Sequence, residues 1–90
     1  MIKITIKFFG VLDEYFESDL ILNINKQCEI LYIKKYIKKY IEKNINNTNL
    51  KYIYKIIDKA LFSDNKKILS NDFIISSDCV IYLLPPFSGG

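Results

Sequence analysis

The sequence predicts an α+β fold in one small domain: a mixed sheet of four or five strands covered by a single long helix. Three observations carry this expectation. Apolar and polar residues alternate at the start of the chain, and a compact apolar run lies near its end. In the middle, apolar residues recur with helical spacing. Ninety residues are also too few for two cores, since chains rarely divide below roughly 150 residues. Half the residues are hydrophobic and 26% are charged, a globular composition.

Ile2, Ile4, Ile6 and Phe8 alternate with Lys3, Thr5, Lys7 and Phe9, as in a half-buried strand. By parity Phe9 stands with the lysines on the polar face. Gly10 ends the run, and Val11–Phe16 reads as one short helical turn. A second strand is expected over Asp19–Asn25, with Leu20, Leu22 and Ile24 on one face, near enough to pair with the first. The period then changes. Ile30, Ile33, Ile37, Ile41 and Ile45 fall at i, i+3, i+7, i+11 and i+15, one stripe of a helix. Within it lie Tyr32-Ile33-Lys34-Lys35, Tyr36-Ile37-Lys38-Lys39 and Tyr40-Ile41-Glu42-Lys43. A repeat of four drifts by about 40° per unit against 3.6 residues per turn, which only widens the stripe. Asn25 is the expected N-cap, and the cluster Asn44–Asn49 ends the helix.

Beyond that cluster, Tyr52–Ile57 reads as a strand, Asp58-Lys59 as a tight turn and Ala60–Ser63 as its short continuation. Ser63–Lys67 is polar loop, and Leu69–Ile75 reads as an irregular connection carrying a turn of helix. Ser76-Ser77-Asp78 is a turn before the final strand, Cys79–Leu84. The order is ββαββ. One amphipathic helix needs an apolar surface to cover, and a mixed sheet supplies it. The first and last strands, as the most regular, are natural central neighbours in parallel. That arrangement is the β-grasp, expected over residues 1–84, with residues 85–90 as an extended tail.

Composition narrows the chemistry. The chain has no His, Arg or Trp, so a Ser-His-Asp or Cys-His site is impossible, as are most zinc sites. Cys28 and Cys79 match no C-x-x-C spacing and read as small buried hydrophobes, with a disulfide or a reactive thiol as the alternatives. The N-terminus alternates charge with apolar residues and has no signal-peptide apolar core; no run approaches the ~20 residues that span a bilayer. A soluble, cytoplasmic protein with no membrane partner and no bound metal is therefore expected. The net charge of +3 is mild, and the excess of Ile, Lys, Asn and Tyr fits drift in an AT-rich genome. Lys34, Lys35, Lys38 and Lys39 interleaved with Tyr32, Tyr36 and Tyr40 suggest a nucleic-acid face. Lysine supplies point charges and there is no arginine for bidentate readout, so a solvated helix face is the preferred reading, with no nucleic-acid partner.

The C-terminal residues stand apart. Of three glycines and two prolines, four lie in the last six positions: Pro85, Pro86, Gly89 and Gly90. At this chain's own glycine frequency, a Gly-Gly pair at a given place arises about once in a thousand chains, against about 7% glycine in average proteins. Pro85 and Pro86 lack amide donors and fix φ near −65°, so strand pairing stops and the chain is held extended. Phe87 and Ser88 follow, and Gly89 and Gly90 carry no Cβ that would bar a narrow channel. Six residues reach roughly 20 Å, enough to enter a partner's active site while the domain docks outside. Parity places Ile81 and Leu83 toward the helix. Val80, Tyr82 and Leu84 then join Phe9 on the opposite face as an apolar patch, a usual mark of partner binding.

A ββαββ chain that opens Ile-Lys-Ile…Phe8-Phe9-Gly10 and closes Leu84-Pro85-Pro86-Phe87-Ser88-Gly89-Gly90 resembles the MoaD/ThiS family of ubiquitin-like sulfur carriers. Within that family it is most similar to the small subunit of molybdopterin synthases. The resemblance covers the whole chain, departing in the lysine-tyrosine helix and at Ser63–Lys67. It implies that an E1-like activating enzyme uses ATP to adenylylate the Gly90 carboxylate, and that a sulfur donor displaces AMP to leave a thiocarboxylate. The large subunit would then admit the tail and deliver sulfur to a pterin precursor, in a heterotetramer of two small and two large subunits. On this reading Gly90 carries the chemistry, Gly89 gives access, and Pro85, Pro86, Phe87 and Ser88 bind the partner. Leu61 joins Phe9, Tyr82 and Leu84 in the docking patch by similarity to the family. The chain would be a non-catalytic subunit with no stably bound cofactor. A carrier for thiamine or another sulfur pathway, disfavoured by Pro85-Pro86, and a ubiquitin-like protein modifier remain the alternatives.

Overall fold

The computed structural model describes residues 1–16, 18–44 and 50–85. Strand β1 (Ile2–Phe8) leads through a 3₁₀ turn at Gly10–Tyr15 into β2 (Leu20–Ile24). A short β3 (Cys28–Glu29) runs directly into α1 (Ile30–Asn44), which is followed by a second helix, α2 (Leu50–Lys59). Strands β4 (Leu61–Ser63), β5 (Ile68–Leu69), β6 (Ile74–Ile75) and β7 (Cys79–Leu84) complete the chain. The main sheet has five strands in the order β2-β1-β7-β4-β5, and β3 pairs with β6 in a small separate ladder. β1 and β7 are parallel neighbours at the centre, with Ile4 opposite Cys79 and Phe8 opposite Leu83, as the sequence predicts. β2 pairs antiparallel with β1 over five consecutive residues, and β4 pairs antiparallel with β7.

One face of this sheet is core. Ile4, Ile6, Phe8, Leu22, Ile81 and Leu83 point inward and meet the α1 stripe of Ile30, Ile33, Ile37 and Ile41. Burying a side chain of this size contributes about 1.5–3 kcal/mol, so the layer contact dominates the stability of so small a domain. The Phe8 ring stacks on Phe16 at 3.8 Å between centroids, and Phe16 stacks in turn near Tyr40 at 6.1 Å. These rings tie the β1–β2 connection to the helix.

Four local expectations are corrected. Tyr52–Ile57 is not a strand but the body of α2, and Asp58-Lys59 is its last turn rather than a tight turn. Read from Leu50, the apolar positions fall at i, i+3, i+4 and i+7: Leu50, Ile53, Tyr54 and Ile57. Ile56 and Ile57 are adjacent and both buried, which suits the wide stripe of a helix, whereas on a strand they would face opposite sides. The Ala60 amide donates to the Ile57 carbonyl at 3.2 Å, and the chain turns into β4. The helical layer is thus a pair, ββαββ with a second helix added, and neither helix is especially long.

Asn25 does not cap α1, because β3 intervenes. The first helical amides find partners in another part of the chain: Ile30 N–H donates to the Phe73 carbonyl and Leu31 N–H to the Asn71 carbonyl, each at 3.0 Å. These bonds satisfy donors that a side-chain cap would otherwise take. Leu69–Ile75 holds no helical turn. It ends β5, makes a turn closed by Phe73 N–H to the Ser70 carbonyl at 3.0 Å, and enters β6. Ser63 ends β4, within the strand expected over Ala60–Ser63. The loop after it is organised by Asp64, whose carboxylate accepts the Lys66 and Lys67 amides at 2.8 and 2.9 Å. Those bonds hold the Asp64 carboxyl below its ordinary range. Ile45 lies outside the described residues.

Candidate functional site

The other face of the sheet is open, and β-strand alternation sorts its residues into rows. Leu61 of β4 is directly opposite Leu84 of β7. Phe9 follows Phe8, the partner of Leu83, and so extends the same row from β1. Phe9 is 44% and Leu61 49% exposed, while Leu84 is half-buried between them. One step back, Tyr82 is flanked by Lys7 and Ser63. Its ring lies 5.7 Å from that of Phe9, and its hydroxyl donates to Asn65 Oδ1 at 3.0 Å. Lys7 pairs with Asp19 at 3.5 Å and closes that row with opposite charges. A further step back lies exposed Val80.

Parity placed Phe9, Val80, Tyr82 and Leu84 on one surface and family resemblance added Leu61; the structure gathers Phe9, Leu61, Tyr82 and Leu84 at one end of it, with Val80 further back. Ile81 and Leu83 point into the core as parity requires. Sequence reasoning missed two exposed neighbours, Ile21, opposite Thr5 on β2, and Ile68, opposite Ser63 on β5. Ile21 was legible, since it lies between the core-facing Leu20 and Leu22. Ile68 fell between the polar loop Ser63–Lys67 and the irregular connection Leu69–Ile75, and so was assigned to no strand.

Pro85 leaves β7 at the apolar end of the face, and the residue beneath it is Gly10. Gly10 has φ +63°, the left-handed region in which a Cβ is strained. A Cβ built there would lie 2.9 Å from Pro85 Cγ. The glycine that merely ended a strand in the sequence thus does two things: it turns the chain after β1 and leaves room for the base of the tail. Gly10→Ala is expected to lower the melting temperature by roughly 5–15 °C, the equivalent of about 1–2 kcal/mol in a domain this size. It should also move Pro85 off its seat, which a changed nuclear Overhauser pattern between residue 10 and Pro85 would record. Pro86, Phe87, Ser88, Gly89 and Gly90 lie outside the described residues.

Among the described residues there is no group of three or more Cys, Asp or Glu that could hold a metal. Cys28 and Cys79 are free and half-buried. Burial pushes both thiols up from their ordinary range, Cys79 further through the charge of Asp78, so both rest as thiols rather than as nucleophilic thiolates. On the opposite side of the molecule Lys34 is only 6% exposed where α1 meets α2. Its amine lies 3.5 Å from the Asp58 carbonyl, and burial pushes its pKa down. Lys38 pairs with the Asp58 carboxylate. These contacts tie α2 to α1. What the open face presents is an apolar row around Pro85, where β7 ends.

Two solved structures share this architecture. One is a putative molybdopterin converting factor, subunit 1, from Pyrococcus furiosus, with a TM-score of 0.67 and 14% identity over 96% of this chain and 99% of that chain. The other is SAMP1 from Haloferax volcanii, with a TM-score of 0.66 and 15% identity over 98% of this chain and 99% of that chain. The chain has the ubiquitin-like β-grasp fold. No protein-family model and no curated protein sequence matches it. Within this β-grasp, α2 and the β3–β6 ladder are carried without disturbing the central β1–β7 pair or the face around Pro85. No helix is long and apolar enough to cross a membrane among the described residues.

Proposed function

We propose that this chain is a sulfur carrier of the MoaD/ThiS kind, acting as the small subunit of a molybdopterin synthase in the cytoplasm. The observation that carries the reading is the apolar row Phe9–Leu84–Leu61 gathered around Pro85, a docking face at the root of a tail ending Gly89-Gly90. Its fold likeness to a molybdopterin converting factor subunit 1 supports it.

The chemistry follows from what a carboxylate lacks. A terminal carboxylate, with a pKa near 3.5, is ionised and unreactive at neutral pH. Attack by its oxygen on the α-phosphorus of ATP, in the E1-like activating enzyme, expels pyrophosphate and leaves an acyl-adenylate on Gly90. Attack by hydrosulfide, released by a sulfur donor, on that carbonyl carbon then expels AMP and, with loss of the S–H proton, leaves a thiocarboxylate. The domain docks through Phe9, Leu61, Tyr82 and Leu84. Pro85 and Pro86 direct Phe87, Ser88, Gly89 and Gly90 into the large subunit, where the sulfur passes to the pterin precursor. A dithiolene needs two sulfurs, so a charged carrier must replace a spent one. Two small and two large subunits would form the assembly. The chain itself binds no stable cofactor.

Intact mass spectrometry of the native protein tests this reading. A fraction heavier by one oxygen-to-sulfur exchange, located to Gly90, is expected. Isopeptide links from Gly90 to lysines of other proteins would instead establish a modifier. Sulfur loading with transfer to a thiazole precursor, and none to a pterin, would establish the thiamine-type carrier.

A further inference from the structure

The Tyr-Ile-Lys-Lys repeat plays no part in the proposed tail chemistry, yet the fold adds to its outer residues. α1 and α2 both bury their isoleucines in the one core and turn their other sides outward. Together they hold eight of the thirteen lysines and only two acids, Glu42 and Asp58, whereas the rest of the chain has five lysines and eight acids. The protein is thus polarised, and its mild net charge hides a basic helical layer. Within that layer Lys34 is buried, and Lys38 pairs with Asp58. The six that remain, Lys35, Lys39 and Lys43 on α1 and Lys51, Lys55 and Lys59 on α2, are all exposed. Each set keeps i, i+4, i+8 spacing and so forms a row along its helix.

Beside the α1 row stand Tyr32 and Tyr36, three residues before Lys35 and Lys39 and 54% and 43% exposed. Both rings wall a groove of about 580 Å³ whose other side is the end of β2 and the segment after it, Asn23 to Glu29. That side is polar: Asn23, Asn25 and Gln27 bring carboxamides, and Lys26 and Glu29 offset one another. These three features match the three parts of a nucleotide strand. Lysines neutralise phosphates, tyrosine rings stack on bases, and carboxamides hydrogen-bond to base edges. An acidic peptide would use the lysines and leave the rings unstacked, and a membrane surface would want apolar side chains where the groove carries carboxamides. Four residues separate the rings by about 6 Å along the helix axis, against about 3.4 Å per nucleotide in a duplex strand. The rings therefore suit bases that have left the stack, and arginine forks serve duplex readout, not this.

We infer that the helical layer binds single-stranded nucleic acid, with phosphates along the lysine rows and bases against Tyr32 and Tyr36. The solvated-face reading rests on α1 alone. Tyr52–Ile57 read as a strand hid the α2 lysines, and no periodicity brings Asn23, Asn25 and Gln27 to the tyrosines. The helices cover the core face of the sheet, so a strand bound to them leaves the Phe9–Leu84–Leu61 row on the open face free. Such binding is independent of the proposed sulfur chemistry.

The test uses the full chain, labelled with ¹⁵N, and fluorescent oligouridine and oligothymidine of about 12 nucleotides. At about 50 mM salt, anisotropy should give a Kd on the order of 1–10 µM for at least one of them, the tighter strand identifying the sugar. Raising the salt to about 200 mM should weaken binding by about 60- to 250-fold, as about four to six phosphate contacts require. Tyr32→Ser combined with Tyr36→Ser should weaken it at least about tenfold without changing the salt dependence. Its melting curve should be normal, since both rings are exposed. Lys35→Gln, Lys39→Gln and Lys55→Gln together should make the plot of log Kd against log salt shallower by about 2. Chemical shifts should move at Asn23 to Gln27 and along Tyr32 to Lys39. No saturable binding at about 100 µM protein, or shifts centred on Phe9, Leu61 and Leu84, would overturn the inference. So would unchanged affinity in the folded double variant, or an unchanged salt slope in the triple one. Equal affinity for a duplex of the same length, or for an oligoglutamate of equal charge, also overturns it, the latter assigning the lysines to an acidic protein segment.

Discussion

A chain carrying one alanine appended after Gly90 is expected to accept no sulfur, while still binding the proposed large subunit within a few-fold of normal affinity. The extra residue moves the carboxylate by about 3.3–3.6 Å and places a Cβ where the proposed channel admits only Gly-Gly. Misplacing a reacting group by about 1 Å can already cost a hundredfold, so a shift several times larger removes the reaction. The domain is untouched by the addition, because the core and the docking row lie within residues 4–84. Incubation with the activating enzyme, ATP and a sulfur donor, followed by intact mass measurement, checks the result. A thiocarboxylate on the appended alanine, with sulfur delivered onward, would sink the proposed role of Gly90.

Phe9→Asp and Leu84→Asp should each weaken binding to the large subunit and to the activating enzyme by about 30- to 1000-fold, the equivalent of 2–4 kcal/mol. The loss has two parts: an apolar anchor disappears, and a carboxylate must be desolvated against an apolar surface with no partner charge. Phe9 is exposed in the free chain, so its replacement leaves the core intact. Leu84 is half-buried, and its variant therefore needs a melting curve beside the titration. Tyr52→Asp, on exposed α2 surface, is the control and should change neither affinity. Calorimetry showing normal affinity for a folded Phe9→Asp chain would remove the open face from the docking surface.

Much of this site was legible in order of residues alone. Side chains on a strand alternate faces whatever the strand pairs with, so parity placed Phe9, Tyr82 and Leu84 away from the helix before any partner strand was known. The α1 stripe was legible for the same kind of reason, because Ile30, Ile33, Ile37 and Ile41 keep helical spacing through one element. α2 was misread because six residues of alternating Tyr, Ile and Lys satisfy strand propensity, and only the ten residues from Leu50 show the helical period. The N-terminus of α1 was misread because its amides are satisfied by the carbonyls of Asn71 and Phe73, forty or more positions away.

By itself, then, the sequence determined which residues face inward and outward, and where the chain stops pairing and narrows to glycine. Those properties are local, set by backbone geometry and by the presence or absence of a Cβ or an amide proton. Tertiary structure alone decided that residues 9, 61, 84 and 85 share one end of one face, that Gly10 must be left-handed beneath Pro85, and that Tyr32 and Tyr36 wall a groove beside β2. Each of these depends on strand order and register between distant segments, and no periodicity within a segment carries that information.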